Sequence, residues 1–130
     1  MALMEMGDLS ADSYPFGGYN TIVDSLYLGK PIVTWEGRRF VNRASSHLLR
    51  RVGLGELVAT TAAQYADKII NLVSDYAYRQ EIAGRIAATD LKARIFDSQE
   101  PAFFKKAIDF LIANHSPLAA EASRAPIFIK

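Results

Sequence analysis

The stretch from Ser13 to Gly37, SYPFGGYNTIVDSLYLGKPIVTWEG, sets two glycines, a tyrosine, an asparagine and a threonine directly ahead of an amphipathic segment. Gly17 and Gly18 admit backbone angles closed to other residues and let a ligand come close to the main chain. Asn20 or Thr21 fits a helix cap. The first-turn N–H groups of that helix have no partner within it and form the positive end of its dipole. The chemistry open to the stretch is therefore anion binding, with phosphate the usual guest. A plainer reading fits the same residues: Asn20 and Thr21 only cap a helix, and the glycines only turn the chain.

Other chemistries find less support. There is no cysteine, which excludes disulfides and thiolate metal sites. His47 and His115 are the only histidines and stand far apart, so zinc would need unusual help from carboxylates. Ser45 and Ser46 lie beside His47 without the Gly-x-Ser-x-Gly context of a nucleophile elbow. A net charge of +1 across 130 residues, half of them apolar, gives no push toward nucleic acid or an anionic membrane. No apolar run approaches the ~20 residues that a membrane helix needs. The start, MALMEMGDLSADS, has no basic region and carries early acids, unlike a signal peptide. The expected location is the cytoplasm.

The elements that must position the glycine loop follow from periodicity. MALMEM reads as a helix end stopped by Gly7, and DLSADSY as a short strand broken by PFGG. Ile22, Val23, Leu26 and Tyr27 have helical spacing from Asn20 to Leu28, with Gly29 as C-cap and Pro31 forbidding continuation. PIVTW reads as a short buried parallel strand. A second helix is expected from about Gly37 to Val52, with Phe40, Val41, Ala44, Leu48 and Leu49 as its apolar stripe and Gly53 as its stop. ELVA reads as one more strand.

Helices follow. Their stripes are Ala62, Tyr65, Ala66, Ile69, Ile70 and Val73, then Ile82, Ala83, Ile86 and Ala87, then Phe103, Phe104, Ala107, Ile108, Leu111 and Ile112. The expected division is a partial domain over residues 1–115 and an irregular tail over 116–130. The fold class is α/β with a parallel sheet and right-handed crossovers. Three strands are fewer than the five or six of a doubly wound domain. The chain reads as the second half of one, with a first half missing.

The run from Asp8 to Ala59 resembles the donor-binding region of the O-linked N-acetylglucosamine transferase family. It is also similar to the bacterial cytoplasmic protein glycosyltransferases that place hexose on asparagine. The matching positions are Pro15, Phe16, Gly17, the loop Gly18-Tyr19-Asn20-Thr21, Asp24, Gly29, Pro31, Val33, Gly37 and Arg43. ARIFDSQEPAFFKKAIDFL resembles the family's closing segment, and the likeness spans roughly Met1 to Asn114. Animal-type loops read Gly-His-Thr-Thr, whereas Tyr19 stands here in place of the histidine. An asparagine in the loop is a feature of the bacterial asparagine-glucosylating type.

The resemblance implies a partial Rossmann-like domain from the C-terminal half of a two-domain GT-B glycosyltransferase. It implies an inverting transfer from a UDP-sugar to a protein side chain, with no metal or other cofactor. Gly18, Tyr19, Asn20 and Thr21 would hold the diphosphate, which builds up charge as the glycosidic bond breaks. Asp24, one helical turn beyond the loop, would accept ribose hydroxyls; a solvated first-turn carboxylate is the alternative. Arg43 matches the family arginine and would support the phosphates. A solvated basic face with Arg39, His47 and Arg50, or an ion pair with Glu36 or Glu56, is the alternative. Tyr14 and Trp35 fall near the C-terminal edge of the sheet, where ligands bind in open α/β folds, and core packing remains open for both.

The catalytic base is not placed. The partners implied are a UDP-sugar, a protein acceptor and the missing N-terminal half, with no nucleic acid and no membrane. Met1 reads as an internal methionine of a longer protein or the start of a truncated gene, and the chain alone is expected to be inactive. Self-association through the helix from about Pro101 to Asn114 is also expected. The rival reading is a remnant without catalysis that binds a nucleotide or only oligomerises.

Overall fold

The structure is a computed structural model that describes residues 2–96, 100–121, 127 and 129. The chain divides into two units, Met1–Phe96 and Asp97–Lys130.

In the first unit, helix α1 (Ala2–Met6) leads to strand β1 (Ser10–Ala11), helix α2 (Tyr19–Tyr27) and strand β2 (Ile32–Trp35). A 3-10 turn (Phe40–Asn42) precedes α3 (Ala44–Arg51), and a second (Gly55–Leu57) precedes β3 (Val58–Ala59). Helices α4 (Ala62–Ser74), α5 (Tyr76–Ala88) and α6 (Leu91–Ile95) complete the unit. The strands form one parallel sheet in the order β1-β2-β3, with Ser10 opposite Ile32 and Thr34 opposite Val58. This is the α/β parallel architecture expected from the pattern.

β2 is the central strand and is buried on both faces. Ile32, Val33 and Thr34 are each no more than 2% exposed, so successive side chains on opposite sides are all covered. It shares one core with Ile22 and Leu26 of α2, Leu48 and Leu49 of α3, Leu72 of α4, and Ile82 and Ile86 of α5, the last helix packing on α4. Each such side chain, fully buried, contributes roughly 1.5–3 kcal/mol.

The turns that set the strands apart use glycine where the backbone demands it. Gly29 and Gly53 are the glycines with positive φ, 68° and 79°. Each follows a helix C-cap. Gly29 N–H donates to Leu26 O and Lys30 N–H to Ser25 O; Gly53 N–H donates to Arg50 O and Leu54 N–H to Leu49 O. This double pattern closes α2 and α3 and turns the chain back into the sheet. Thr61 caps α4 through Gln64 N–H, and Asp75 caps α5 through Tyr78 N–H at 2.9 Å.

Several expected faces shift. Phe40 is 84% exposed and Val41 is also exposed, because the helix begins at Ala44 and the residues before it form a separate 3-10 turn. On α4, Ile70 and Val73 are exposed, as are Ala62 and Ala66; the inward face is Tyr65, Lys68, Ile69 and Leu72. That row keeps helical spacing, turned to admit the Lys68 stem, whose Nζ donates to Glu56 O at 2.5 Å. On α5, Ala87 is exposed and the inward positions are Ile82, Ala83 and Ile86.

The second unit holds α7 (Glu100–Ala113) and α8 (His115–Glu121). The region expected to be irregular from Ser116 is thus helical through Glu121. Pro117 is tolerated there because it sits in a first turn, where no intrahelical N–H bond is lost. Residues 122–126, 128 and 130 of that expected tail lie outside the described residues. Phe103, Phe104, Leu111 and Ile112 of α7 are exposed.

Candidate functional site

The glycine loop joins β1 to α2, and the side chain that fixes it is Asp12. Asp12 follows β1 directly and is buried. Its Oδ1 accepts Gly18 N–H at 2.8 Å and its Oδ2 accepts the Thr34 hydroxyl at 2.7 Å. Its carbonyl accepts the Tyr65 hydroxyl at 2.5 Å. Burial, and then the negative charge of Asp12, hold the Tyr65 phenol above its ordinary range. Asp12 is not among the matching positions of the loop motif, which start at Pro15. Only its place at the end of a strand, six residues before Gly18, could have pointed to it.

Gly18 itself is the N-cap of α2, with extended φ −94° and ψ 109°, and no side chain caps this helix. Asn20 and Thr21 therefore do not cap it; they are residues of its first turn. The N–H groups of Tyr19, Asn20 and Thr21 are the donors left open there. Gly17 and Gly18 do not use angles closed to other residues either. Their requirement is space. A Cβ on Gly17 would stand 2.7 Å from Ser45 Oγ and 3.0 Å from Asp12 Oδ2, and one on Gly18 would meet the Thr21 hydroxyl. Ser45 is fully buried, and among the described residues its hydroxyl has no hydrogen-bond partner.

The loop is also tied to the turn before α3. Gly17 N–H donates to Val41 O at 3.2 Å, and the Asn42 amide donates to Pro15 O. Next to this junction a cleft of about 700 Å3 opens beyond the C-terminal ends of β2 and β3. Its lining includes Tyr14, Trp35, Glu36, Arg38, Arg39 and Arg43. Tyr14 stacks on Trp35 with ring centroids 3.9 Å apart, and Tyr65 lies tilted 6.3 Å from Trp35. Both aromatics expected at the sheet edge are there, packed on each other.

The expected site residues are only partly gathered. Gly18, Tyr19, Asn20 and Thr21 are consecutive at the α2 terminus, and Arg43 lies across the Gly17–Val41 contact on the cleft wall. Thr21 lines a separate hollow of about 320 Å3 with Asp12 and Ser13. Gly18, Tyr19, Asn20 and Asp24 line neither. Asp24 is half-buried on α2, and among the described residues its carboxylate has no partner. Arg43 is engaged: its Nε donates to Glu36 Oε1 at 3.3 Å, while Arg50 pairs with Glu36 Oε2. The Arg50 hydrogen bond, and then that of Arg43, hold the Glu36 carboxyl below its ordinary 4.5 against the opposing effect of burial. The ion-pair alternative for Arg43 is therefore realised in this structure.

Among the described residues there is no cluster of three or more His, Asp or Glu side chains placed to hold a metal ion. No helix among them is long and apolar enough to cross a membrane.

Comparison with known proteins places this geometry in a family. Residues 4–103 match the model of glycosyl transferase family 41. The chain is 32% identical over 99 residues to a probable UDP-N-acetylglucosamine–peptide N-acetylglucosaminyltransferase, SPINDLY, of Hordeum vulgare, covering 76% of this chain and 10% of that protein. It is 34% identical over 93 residues to the protein of the same description from Arabidopsis thaliana, covering 72% of this chain and 10% of the relative. A mutant O-GlcNAc transferase of Thermobaculum terrenum superposes with a TM-score of 0.69 at 27% identity, over 94% of this chain and 23% of that one. The chain thus spans about a tenth of the length of these curated relatives. The chain, with its parallel α/β sheet, belongs to glycosyl transferase family 41.

Proposed function

We propose that this chain is part of the donor-binding half of an inverting glycosyltransferase that moves a sugar from a UDP-sugar to a protein side chain. The observation that carries the reading is the uncapped start of α2, where three first-turn N–H groups stay open beside a loop kept bare by glycine. The plant relatives, by their description, use UDP-N-acetylglucosamine and a peptide, which favours that donor and acceptor class here.

In this reading an acceptor atom attacks the anomeric carbon and the bond to the β-phosphate oxygen breaks. UDP leaves with the electron pair, and the acceptor proton passes to a general base. The N–H groups of Tyr19, Asn20 and Thr21, with the Asn20 amide and Thr21 hydroxyl, stabilise the growing diphosphate charge without a metal. The unpartnered Asp24 carboxylate accepts ribose hydroxyls. Arg43 supports the phosphates after exchanging part of its contact with Glu36.

Transfer by this chain alone is not expected, because joining donor and acceptor requires both halves of a cleft. Titration calorimetry with UDP and UMP tests the reading: UDP is expected to bind more tightly, and equal affinity would remove the diphosphate from the α2 terminus. A second reading, an oligomerising module, draws on the exposed apolar side chains of α7.

A further inference from the structure

We propose that the cleft beyond β2 and β3 is a separate binding site for an acidic polypeptide segment, whose carboxylates sit on Arg38 and Arg39. The proposal rests on the donor-binding reading for its role: the segment would be the flank of the acceptor polypeptide.

The charge balance of the cleft is the first argument. Arg38, Arg39 and Arg43 line it together with a single carboxylate, Glu36. Both oxygens of Glu36 are occupied, one by Arg43 and one by Arg50, and those contacts keep it ionised. Among the described residues Arg38 and Arg39 have no ion-pair partner, and both are exposed. The cleft therefore carries positive charge that nothing within it neutralises, and its field favours an anionic guest.

Shape and neighbours narrow the guest. A cleft of about 700 Å3 is far larger than a single small anion requires. Tyr14, laid flat on Trp35, gives one wall a broad apolar face beside the arginines, suited to the carbon stems of a peptide. Arginine forks match carboxylates in bidentate fashion. A nucleotide fits less well. The open N–H groups of α2 do not line the cleft, so a diphosphate placed here would forgo them. Donor and peptide would instead lie on either side of the Gly17–Val41 contact, with Arg43 of the cleft wall the one arginine shared between them, and bind together.

Fluorescence anisotropy on the full 130-residue chain tests this. The probe is a fluorescein-labelled serine peptide flanked by aspartates, with its asparagine counterpart as control. The acidic peptide is expected to bind at least about tenfold more tightly than the control and to weaken steeply as salt rises. Arg38→Ala/Arg39→Ala is expected to cost at least about tenfold, while Arg38→Lys/Arg39→Lys, which keeps the charge but loses the fork, is expected to cost less than the alanine variant. Saturating UDP is expected not to displace the peptide.

Equal binding of the two peptides, undiminished binding by the alanine variant, or no binding would each overturn the proposal. Displacement by UDP would also overturn it, by making the cleft a nucleotide site. Failure of UDP to bind while the acidic peptide still does would instead reject the donor reading and leave the cleft assignment standing.

Discussion

The Asp12 carboxylate accepts the main-chain N–H of Gly18 over 2.8 Å, tying the end of β1 to the first residue of the α2 terminus. Its second oxygen takes the Thr34 hydroxyl of β2, so one buried side chain joins two strands and a helix start. Gly18 N–H is thereby committed to the protein. The donors of that terminus left without a partner among the described residues are those of Tyr19, Asn20 and Thr21.

Replacing Asp12 tests that junction. Asp12→Ala leaves the Gly18 N–H and the Thr34 hydroxyl without an acceptor and is expected to cost about 1.5–3 kcal/mol, the scale of hydrogen bonds to a charged group. Asp12→Asn keeps an acceptor for Gly18 and is expected to lose less. Urea unfolding of both variants measures the difference, and equal losses would show that the oxygen at Gly18 contributes nothing.

Among the described residues Asp24 has no partner, so its loss is expected to leave stability nearly unchanged. Its effect is on ligand: Asp24→Ala is expected to weaken UDP binding by about 1–3 kcal/mol. Calorimetry that finds unchanged affinity in a folded variant would reduce Asp24 to a solvated carboxylate on the helix.

Gly17→Ala drives a methyl group toward Ser45 Oγ, 2.7 Å from where it would sit. Overpacking of this kind costs typically 1–3 kcal/mol, or about that here. Ser45→Ala removes a buried hydroxyl that has no partner and is expected to be close to neutral alone. Together the two substitutions are expected to cost clearly less than their sum, which a double-mutant cycle in denaturant reads directly.

Glu36 supplies a pH dependence. Arg50 and Arg43 lower its carboxyl below 4.5 in the folded chain. Its contribution is therefore fully present above about 4.5 and is lost as pH falls through the lower folded value. Both arginines are about half exposed, so the contribution is at most about 1 kcal/mol. Thermal melts of wild type and Glu36→Gln are expected to differ most at neutral pH and to converge in acid. A gap that widens on acidification would contradict the assignment.

Self-association concerns α7. Phe103, Phe104, Leu111 and Ile112 are exposed along one helix, and a second copy of the chain is the expected cover. Light scattering is expected to give a mass above one chain for the wild type and a lower mass for Leu111→Glu. A single-chain mass at high concentration would reject the contact.

Local chemistry accounts for what was legible from the residues alone. Gly29 ahead of Pro31 announces the end of α2, and its positive φ follows from its place after the C-cap. The β-branched run before Trp35 announces β2, since a strand covered on both faces has little use for polar alternation. The family motif rests on the same short-range spacing.

Tertiary structure decided the rest, because it depends on which distant segments meet. Whether α4 turns Ile70 or Leu72 inward was settled by the sheet beneath it, since both fall in an apolar helical pattern. Parallel pairing set Asp12 beside Thr34, 22 positions away, and the docking of α4 on the sheet set Tyr65 beside Asp12, 53 away. The cleft likewise joins Tyr14 to Thr60. Gly17 needed to be glycine because Ser45 lies against it, a steric fact that exists only once α3 has docked beside the loop.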